Sequence, residues 1–265
     1  MSPGGGALAR ALEFQRQSIE LTAEHVLAID DGWVFRSPSL SQVWSHNMLW
    51  LTGPIAHPAA IELCRRHLGE ALFWQLYLED EATAQRLLEP LRADGWEFDV
   101  EVHLELIRPP DPVFDPPPIV EPGEDESLEL MALWMRADQT LHLSGAEGIR
   151  QTIVKDRAVW RARNARRFGI RGPDGAVAAI TQLFSDGRVG QVEHVYTIPQ
   201  ARGRGYARAL VSHAAAEAWK AEHELSFIVA DDNNWPKQLY RRIGFEPLGR
   251  TWLLHLPAAR VAERS

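Results

Sequence analysis

A proline-rich stretch near the middle of the chain limits what its 265 residues can fold into more than any other feature. Residues 109–122 read PPDPVFDPPPIVEP and hold seven of the seventeen prolines. Because proline fixes φ and lacks an N–H donor, neither a helix nor an inner strand can run through this stretch. We therefore expect a linker over residues 109–125, which joins an α/β domain over residues 1–115 to a second domain over residues 126–265.

The charge balance and the single cysteine argue against several classes of protein. With 28 Lys and Arg against 36 Asp and Glu, the formal charge is −8, so the chain has no general attraction for phosphate backbones and we expect no nucleic-acid partner. A membrane partner is not expected either, because no run of about 20 apolar residues occurs. Cys64 stands alone and cannot form an intramolecular disulfide, which fits a cytoplasmic location.

The second half of the chain alternates between helical and strand patterns. Apolar spacing and turn residues predict helices at 127–136, 145–161, 205–221 and 236–243, and strands at 167–171, 176–184, 189–198, 225–230 and 251–256. This order indicates the α/β (α+β) class, with a mixed, largely antiparallel central sheet flanked by helices. Ligands of such sheets bind where strands end beside helix N-termini, so the loop after Ile198 is the expected site.

That loop contains two glycines and two arginines immediately before and within the first turn of a predicted helix. Glycine lets the backbone approach a ligand closely, and the N–H groups of a helix start attract anions. An alternative is a plain turn between strand and helix. The loop is not a Walker sequence, and the dinucleotide spacing fails because residue 208 is Arg. The pattern therefore favours a phosphate site of another kind.

The run from Arg202 to Ala207, RGRGYA, resembles the Arg/Gln-x-x-Gly-x-Gly/Ala signature of the GNAT superfamily of acyl-CoA-dependent N-acetyltransferases. The preceding VYTIP at 195–199 is similar to that family's strand and proline. Asn233, seven residues before Tyr240, followed by Gly244-Phe245, is similar to its second motif. The resemblance covers residues 127–256 and implies a GNAT-like sheet, with the catalytic domain at residues 126–265.

The resemblance also implies acetyl-CoA as cosubstrate and a set of binding residues. The pyrophosphate would be bound by the backbone of Arg202, Gly203, Arg204, Gly205, Tyr206 and Ala207. The pantetheine arm would pair with the strand formed by Val195, Tyr196 and Thr197. Asn233 would contact the cofactor beside the helix that carries Tyr240.

Two residues would move protons in this chemistry. By resemblance, the Tyr240 hydroxyl protonates the departing thiolate, and Glu193 deprotonates the amine through water; a packed aromatic and a paired strand carboxylate are the structural alternatives. His194 is a weaker candidate, and since adjacent strand residues point to opposite faces, we expect that it and Glu193 cannot both face one cleft. The histidines show no paired ligand spacing, so we predict no metal.

The first half parallels the second in outline. A strand at 74–78, a helix through Leu91, Gly95-Trp96 and a strand at 98–106 match the order around Tyr240, but Leu91 stands where the tyrosine would be. A strand at 43–51 is followed by residues 52–58, TGPIAHP, without the two-glycine turn. We interpret this half as a degenerate GNAT-like copy; an unrelated α/β domain is the alternative. Its tryptophans could line the acceptor cleft or fill the core: Trp33, Trp44, Trp50, Trp74 and Trp96.

These patterns lead to one functional hypothesis and one alternative. The hypothesis is an N-acetyltransferase that moves an acetyl group from acetyl-CoA to a primary amine by direct attack in a ternary complex. The alternative is a catalytically silent module that binds CoA or acyl-CoA. The identity of the amine stays open, and an edge strand or Trp-rich face could mediate a homodimer.

Overall fold

The computed structural model describes residues 3–137 and 145–262. Within those ranges the helices are α1 (Pro3–Glu20), α2 (His57–Leu68), α3 (Glu81–Ala93), α4 (Glu124–Ala137), α5 (Gly145–Ala162), α6 (Tyr206–Lys220), α7 (Pro236–Ile243) and α8 (Ala258–Ala262). The strands are β1 (His25–Ile29), β2 (Gly32–Arg36), β3 (Met48–Leu51), β4 (Trp74–Leu78), β5 (Glu97–Leu106), β6 (Arg166–Arg171), β7 (Val177–Ser185), β8 (Val189–Thr197), β9 (Leu225–Asp231) and β10 (Phe245–Leu256). No described helix is long and apolar enough to cross a membrane.

The mixed, largely antiparallel sheet flanked by helices confirms the predicted fold class. In the second half, the predicted elements agree with the observed ones to within a few residues, except that β10 begins six residues earlier, at Phe245. Its added length pairs with β5 and contains an irregularity between Pro247 and Gly249. Residues 107–123 form no helix or regular strand, and a single bridge joins Val120 to Gly169.

The strand predicted at 43–51 is wrong over its first five residues. A 3-10 turn occupies Trp44–His46, and β3 begins only at Met48. The buried side chain of Asn47 explains the difference: its Nδ2 donates to the carbonyls of Leu40 and Val43 at 2.9 and 3.0 Å, and its Oδ1 accepts from the Ser37 N–H at 3.1 Å. An asparagine that bonds nearby backbone groups favours a turn over a strand.

All ten strands form one sheet in the order β1-β2-β3-β4-β10-β5-β9-β8-β7-β6. Each half contributes an antiparallel meander of three strands, followed by a helix and a fourth, parallel strand: α2 joins β3 to β4, and α6 joins β8 to β9. The strand order is therefore a palindrome, in which β1 to β5 correspond to β6 to β10. The two halves repeat one pattern about the centre of the sheet.

The last strand of each half is exchanged with the other half. β5 pairs with β9, β10 pairs with β4, and the two exchanged strands pair with each other over Phe245↔Leu106 to His255↔Glu97. The sheet is consequently continuous through the middle of the molecule. Each half is completed by a strand from the other.

Helices cover both faces of this sheet. On one face, α2 and α3 pack over the first half and α6 and α7 over the second. On the other, α1 joins α4 and α5 and lies against strands of both halves. The ring of Phe14 meets that of Phe227 edge-on at 6.0 Å, and the buried Arg163 guanidinium donates to the Phe14 carbonyl at 2.8 Å. The N-terminal helix is thus anchored to the second half of the chain.

Candidate functional site

The sheet opens between β8 and β9. The two parallel strands are paired from Val189↔Leu225 to Val192↔Ile228, and beyond Val192 strand β8 is paired only with β7. Val195, Tyr196 and Thr197 lie on this separated part. In the first half, by contrast, β3 and β4 stay paired through Leu51↔Leu78, where both strands end. The gap therefore occurs in one half of the pseudo-symmetric sheet.

The two-glycine loop lies beyond the end of β8 and leads into α6. Gly203 and Gly205 both have φ +77°, and a Cβ added at either would meet no heavy atom within 4 Å. The Ala209 N–H donates to the Gly205 carbonyl at 3.0 Å, so the preceding N–H groups of the first turn point away from the helix. The Arg202 Nε donates to the Thr197 carbonyl at 3.2 Å and ties the loop to the strand. An open backbone with outward N–H groups fits a pyrophosphate.

Tyr240 lies on α7, on the helix face that packs against the sheet. Its side chain is buried, and its ring meets that of Phe245 at 6.4 Å. Burial and the Glu193 carboxylate raise the pKa of the Tyr240 hydroxyl, so the phenol keeps its proton at neutral pH. Asn233 lies in the exposed turn before this helix, where its N–H donates to the Asp231 carboxylate at 2.8 Å.

A bulge in β8 overturns the expectation that Glu193 and His194 face different sides. Tyr196 pairs with Ile180 and Glu193 with Gln182, so two residues of β8 lie opposite one residue of β7. His194 has φ +52°, and the Thr181 hydroxyl donates to the Glu193 carbonyl at 2.9 Å. Because a bulge interrupts the alternation of a strand, both side chains line the same cavity.

That cavity has a volume of about 200 Å³ and lies between the sheet and the helices α1 and α5. Both halves of the chain line it. The polar and aromatic side chains among its lining residues are Gln15, Ser18, Ser45, His46, Trp50, Gln75, Tyr77, Glu101, Lys155, Asp156, Phe184, Gln191, Glu193 and His194. Since Glu193 follows the last β8 residue that pairs with β9, the cavity adjoins the opening in the sheet.

The charges around the cavity are mainly negative. Burial, followed by the carboxylates of Glu193, Asp99 and Asp231, raises the pKa of Glu101 to about 8. Burial and the neighbouring Lys155 ammonium lower the pKa of His46 to about 3, so this imidazole is neutral at neutral pH. Lys155 itself contacts the Asp156 carboxylate.

Sequence reasoning missed the first-half residues of this cavity. The exception is Trp50, for which both the acceptor cleft and the core were considered. Residues 97–105 alternate acidic or basic side chains with apolar ones, EFDVEVHLE, which is typical of a strand with one exposed face. Helix α1 covers part of that face, and the Gln15 amide oxygen accepts from the buried His103 ring at 2.7 Å. Of the other tryptophans, Trp74 and Trp96 belong to the core and Trp44 stacks on His255 at 3.6 Å.

Comparison with protein families identifies the part of the chain that contains this site. Residues 155–247 match the family model described as Acetyltransferase (GNAT) domain. The chain carries a GNAT acetyltransferase domain. The matched GNAT segment contains the opening between β8 and β9, the two-glycine loop and Tyr240, and it supports acyl transfer as the general activity. No curated protein matches the chain in sequence.

Solved structures share the fold over nearly the whole chain. A GCN5-related N-acetyltransferase from Kribbella flavida has a TM-score of 0.64 at 18% identity, covering 96% of this chain and 97% of its own. A conserved protein of unknown function from Staphylococcus epidermidis has a TM-score of 0.64 at 15% identity, covering 91% and 96%. A GCN5-related N-acetyltransferase-like protein from Streptococcus suis has a TM-score of 0.53 at 13% identity, covering 95% and 98%. At these identities the likeness concerns the fold, and it extends over both halves.

Proposed function

We propose that the protein is an N-acetyltransferase that moves an acetyl group from acetyl-CoA to a primary amine by direct attack in a ternary complex. One observation carries the proposal: the opening in the sheet has a helix start with outward N–H groups near one end and a carboxylate-lined cavity on one face. A thioester held in such an opening would be reachable by an amine in the cavity.

The backbone of residues 202–207 would hold the pyrophosphate, and the free edge of Val195, Tyr196 and Thr197 would pair with the pantetheine arm as a strand pairs with a strand. The Asn233 side chain, exposed beside α7, would contact the cofactor. When bound, acetyl-CoA supplies an activated acetyl thioester. The part of β8 that no longer pairs with β9 leaves room for this cosubstrate.

Glu193 and Tyr240 lie on opposite faces of the sheet, where one can accept a proton and the other can donate one. Glu193 lies at the opening and lines the cavity, where its carboxylate can accept a proton from the amine through water. Tyr240 lies on the opposite face of the sheet, and its raised pKa keeps its proton available for the leaving thiolate. The carboxylate of Glu193 raises this pKa, which is consistent with the two groups acting on either side of one reaction centre.

In this proposal the first half is a degenerate copy that no longer binds CoA and instead forms a wall of the acceptor cavity. Its parallel strands leave no gap, and a leucine, Leu91, stands where the second half has Tyr240. Trp50, Tyr77 and Glu101 of this half line the cavity. The palindromic strand order supports a duplication. Lining the cavity would be the function of the degenerate first half.

A transfer assay tests the proposal. Purified protein is incubated with acetyl-CoA and n-butylamine, and both free CoA thiol and N-acetylbutylamine are measured. We expect equal amounts of the two products, with both decreased in Tyr240→Phe. Binding of acetyl-CoA with neither product, across a panel of amines, would contradict the proposal and favour a silent CoA-binding module.

A further inference from the structure

The cavity between the two halves contains buried hydrogen-bond acceptors without partners, beside the Tyr77 hydroxyl, which has none either among the described residues. Across the described ranges, Gln75 Oε1 and Asp156 Oδ2 are buried with no hydrogen bond, and Gln75 and Asp156 are only 2% and 1% exposed. Among those residues, no side-chain nitrogen of a lysine, arginine or histidine lies within 4.0 Å of a carboxylate oxygen of Glu101 or Glu193. Buried acceptors of this kind require donors. Both glutamates are partly buried, and a cation offsets the cost of removing a carboxylate from water.

We propose that this cavity selects a small acceptor that carries two amino groups, one placed at Glu193 for acetylation and the other held as an ammonium by Glu101. The inference rests on the proposed acetyl transfer and adds the class of acceptor. An ammonium group has three donors and one positive charge, so it can satisfy both a carboxylate and a neighbouring amide oxygen such as that of Gln75. The first half of the chain would thereby determine specificity.

The lining residues hold too little positive charge to neutralise these acids. Lys155 contacts Asp156, whose carboxylate also lies 3.9 Å from the His194 Nε2. His46 is neutral at neutral pH, because burial and Lys155 lower its pKa. Glu193 accepts hydrogen bonds from the Gln191 amide and from the His194 N–H, but no cation neutralises its charge among the described residues. Because a nearby positive charge favours the ionised form of a carboxyl group, a bound ammonium would take Glu101 as its carboxylate.

The walls and the volume favour a compact organic cation. Trp50 and Tyr77 line the cavity with ring centroids 4.0 Å apart, and both are almost completely buried. Aromatic faces attract ammonium groups, most strongly where water is excluded. A volume of about 200 Å³ lies below the usual range of about 300–1,000 Å³ for small-molecule sites, which favours an acceptor of few atoms.

Two exposed carboxylates extend the negative charge towards solvent. Asp231 pairs directly with Glu101 across β9 and β5, and Asp99 precedes Glu101 by two residues on β5. Side chains of these three residues share one face of the sheet, and both Asp99 and Asp231 are exposed. Such a row of like charges leading to a cavity concentrates cations at its mouth.

A comparison of two amines of equal chain length tests this inference. We expect kcat/KM for 1,4-diaminobutane to exceed that for n-butylamine by about tenfold or more, as a desolvated ion pair can supply. Glu101→Gln should bring this ratio towards one. Glu105→Gln is the matched control, because Glu105 lies four residues further along β5 on the same face but does not line the cavity. A ratio near one in the wild type, or an unchanged ratio in Glu101→Gln, would overturn the inference.

Binding without acetyl-CoA separates this inference from the proposed function. Both amines can be titrated against the free protein by calorimetry, with Glu101→Gln as the variant that removes the carboxylate from the cavity. Tighter binding of 1,4-diaminobutane that is lost in Glu101→Gln, together with failure to acetylate any amine, would support the cavity assignment and contradict acetyl transfer. Equal binding of the two amines would contradict the cavity assignment, whatever the activity.

Discussion

Glu101 on β5 and Glu193 on β8 face one cavity from opposite halves of the chain, and the Glu193 carboxylate disfavours ionisation of Glu101. The pKa of Glu101 is raised to about 8 by burial and then by Glu193, Asp99 and Asp231. Keeping such groups close together destabilises the folded protein. Clusters of this kind occur chiefly at functional sites, where a ligand offsets the cost.

Replacing Glu101 should stabilise the protein at high pH. In the unfolded chain this carboxyl loses its proton near pH 4.5, whereas in the folded protein it keeps the proton up to about pH 8. The unfolded state thus binds fewer protons between these values, and stability falls as pH rises through this window. We expect Glu101→Gln to unfold at a higher temperature than the wild type at pH 9, where its free energy of unfolding would exceed that of the wild type by up to about 4 kcal/mol, with a smaller difference at pH 5.

Thermal unfolding followed by circular dichroism at the two pH values measures this difference, with Glu105→Gln as control. The interpretation would be wrong if Glu101→Gln were no more stable than the wild type at pH 9.

Tyr240→Phe should decrease turnover while leaving cofactor affinity almost unchanged. The substitution removes the hydroxyl proton and keeps the buried ring in its packing against Phe245. Loss of a general acid typically costs about 100-fold or more in rate. Steady-state kinetics together with calorimetric titration of acetyl-CoA separate the two effects. Equal kcat values in the two proteins would make Tyr240 a packing residue only.

Gly205→Glu should weaken acetyl-CoA binding by about tenfold or more, equivalent to about 1.4 kcal/mol. Its carboxylate would lie at the helix start, where it repels a pyrophosphate and covers the outward N–H groups. Gly187→Glu is the matched control, because Gly187 also has a positive φ, +91°, and no heavy atom within 4 Å of an added Cβ, and lies in a hairpin turn. Similar affinities of the two variants would contradict a phosphate site at Gly205.

The exchanged strands predict that separate halves fold poorly. Fragments 1–115 and 120–265 would each lack the strand that completes its sheet, because β4 pairs with β10 and β9 pairs with β5. We expect no cooperative thermal transition in either fragment alone, and recovery of one when the two are refolded together. A sharp transition in an isolated fragment would show that the exchange is not needed for folding.

Local sequence signals predicted the second half well. The two-glycine turn, the Asp-Gly hairpin and the proline at the start of α7 each fix backbone geometry within a few residues. Sequence reasoning consequently located the loop at Gly203 and Gly205 and the helix of Tyr240. The prolines also predicted a stretch without helix or inner strand, and residues 107–123 contain neither a helix nor a regular strand.

Features that depend on distant parts of the chain could not be predicted in this way. The pairing of β5 with β9 joins residues more than a hundred positions apart, and Glu101 lines a cavity because α1 covers its strand. The bulge at His194 changes the direction of side chains through one extra residue, which an alternating pattern does not reveal. The residues missed in the cavity follow from these long-range contacts.

Calorimetric titration of the full chain with acetyl-CoA tests the central claim most directly, because one half of the sheet opens and the other does not. We predict one equivalent bound per chain, and marked loss of the binding heat in Gly205→Glu but not in Gly187→Glu. Binding of two equivalents would contradict a degenerate first half. Absence of binding would contradict acetyl-CoA as the cosubstrate.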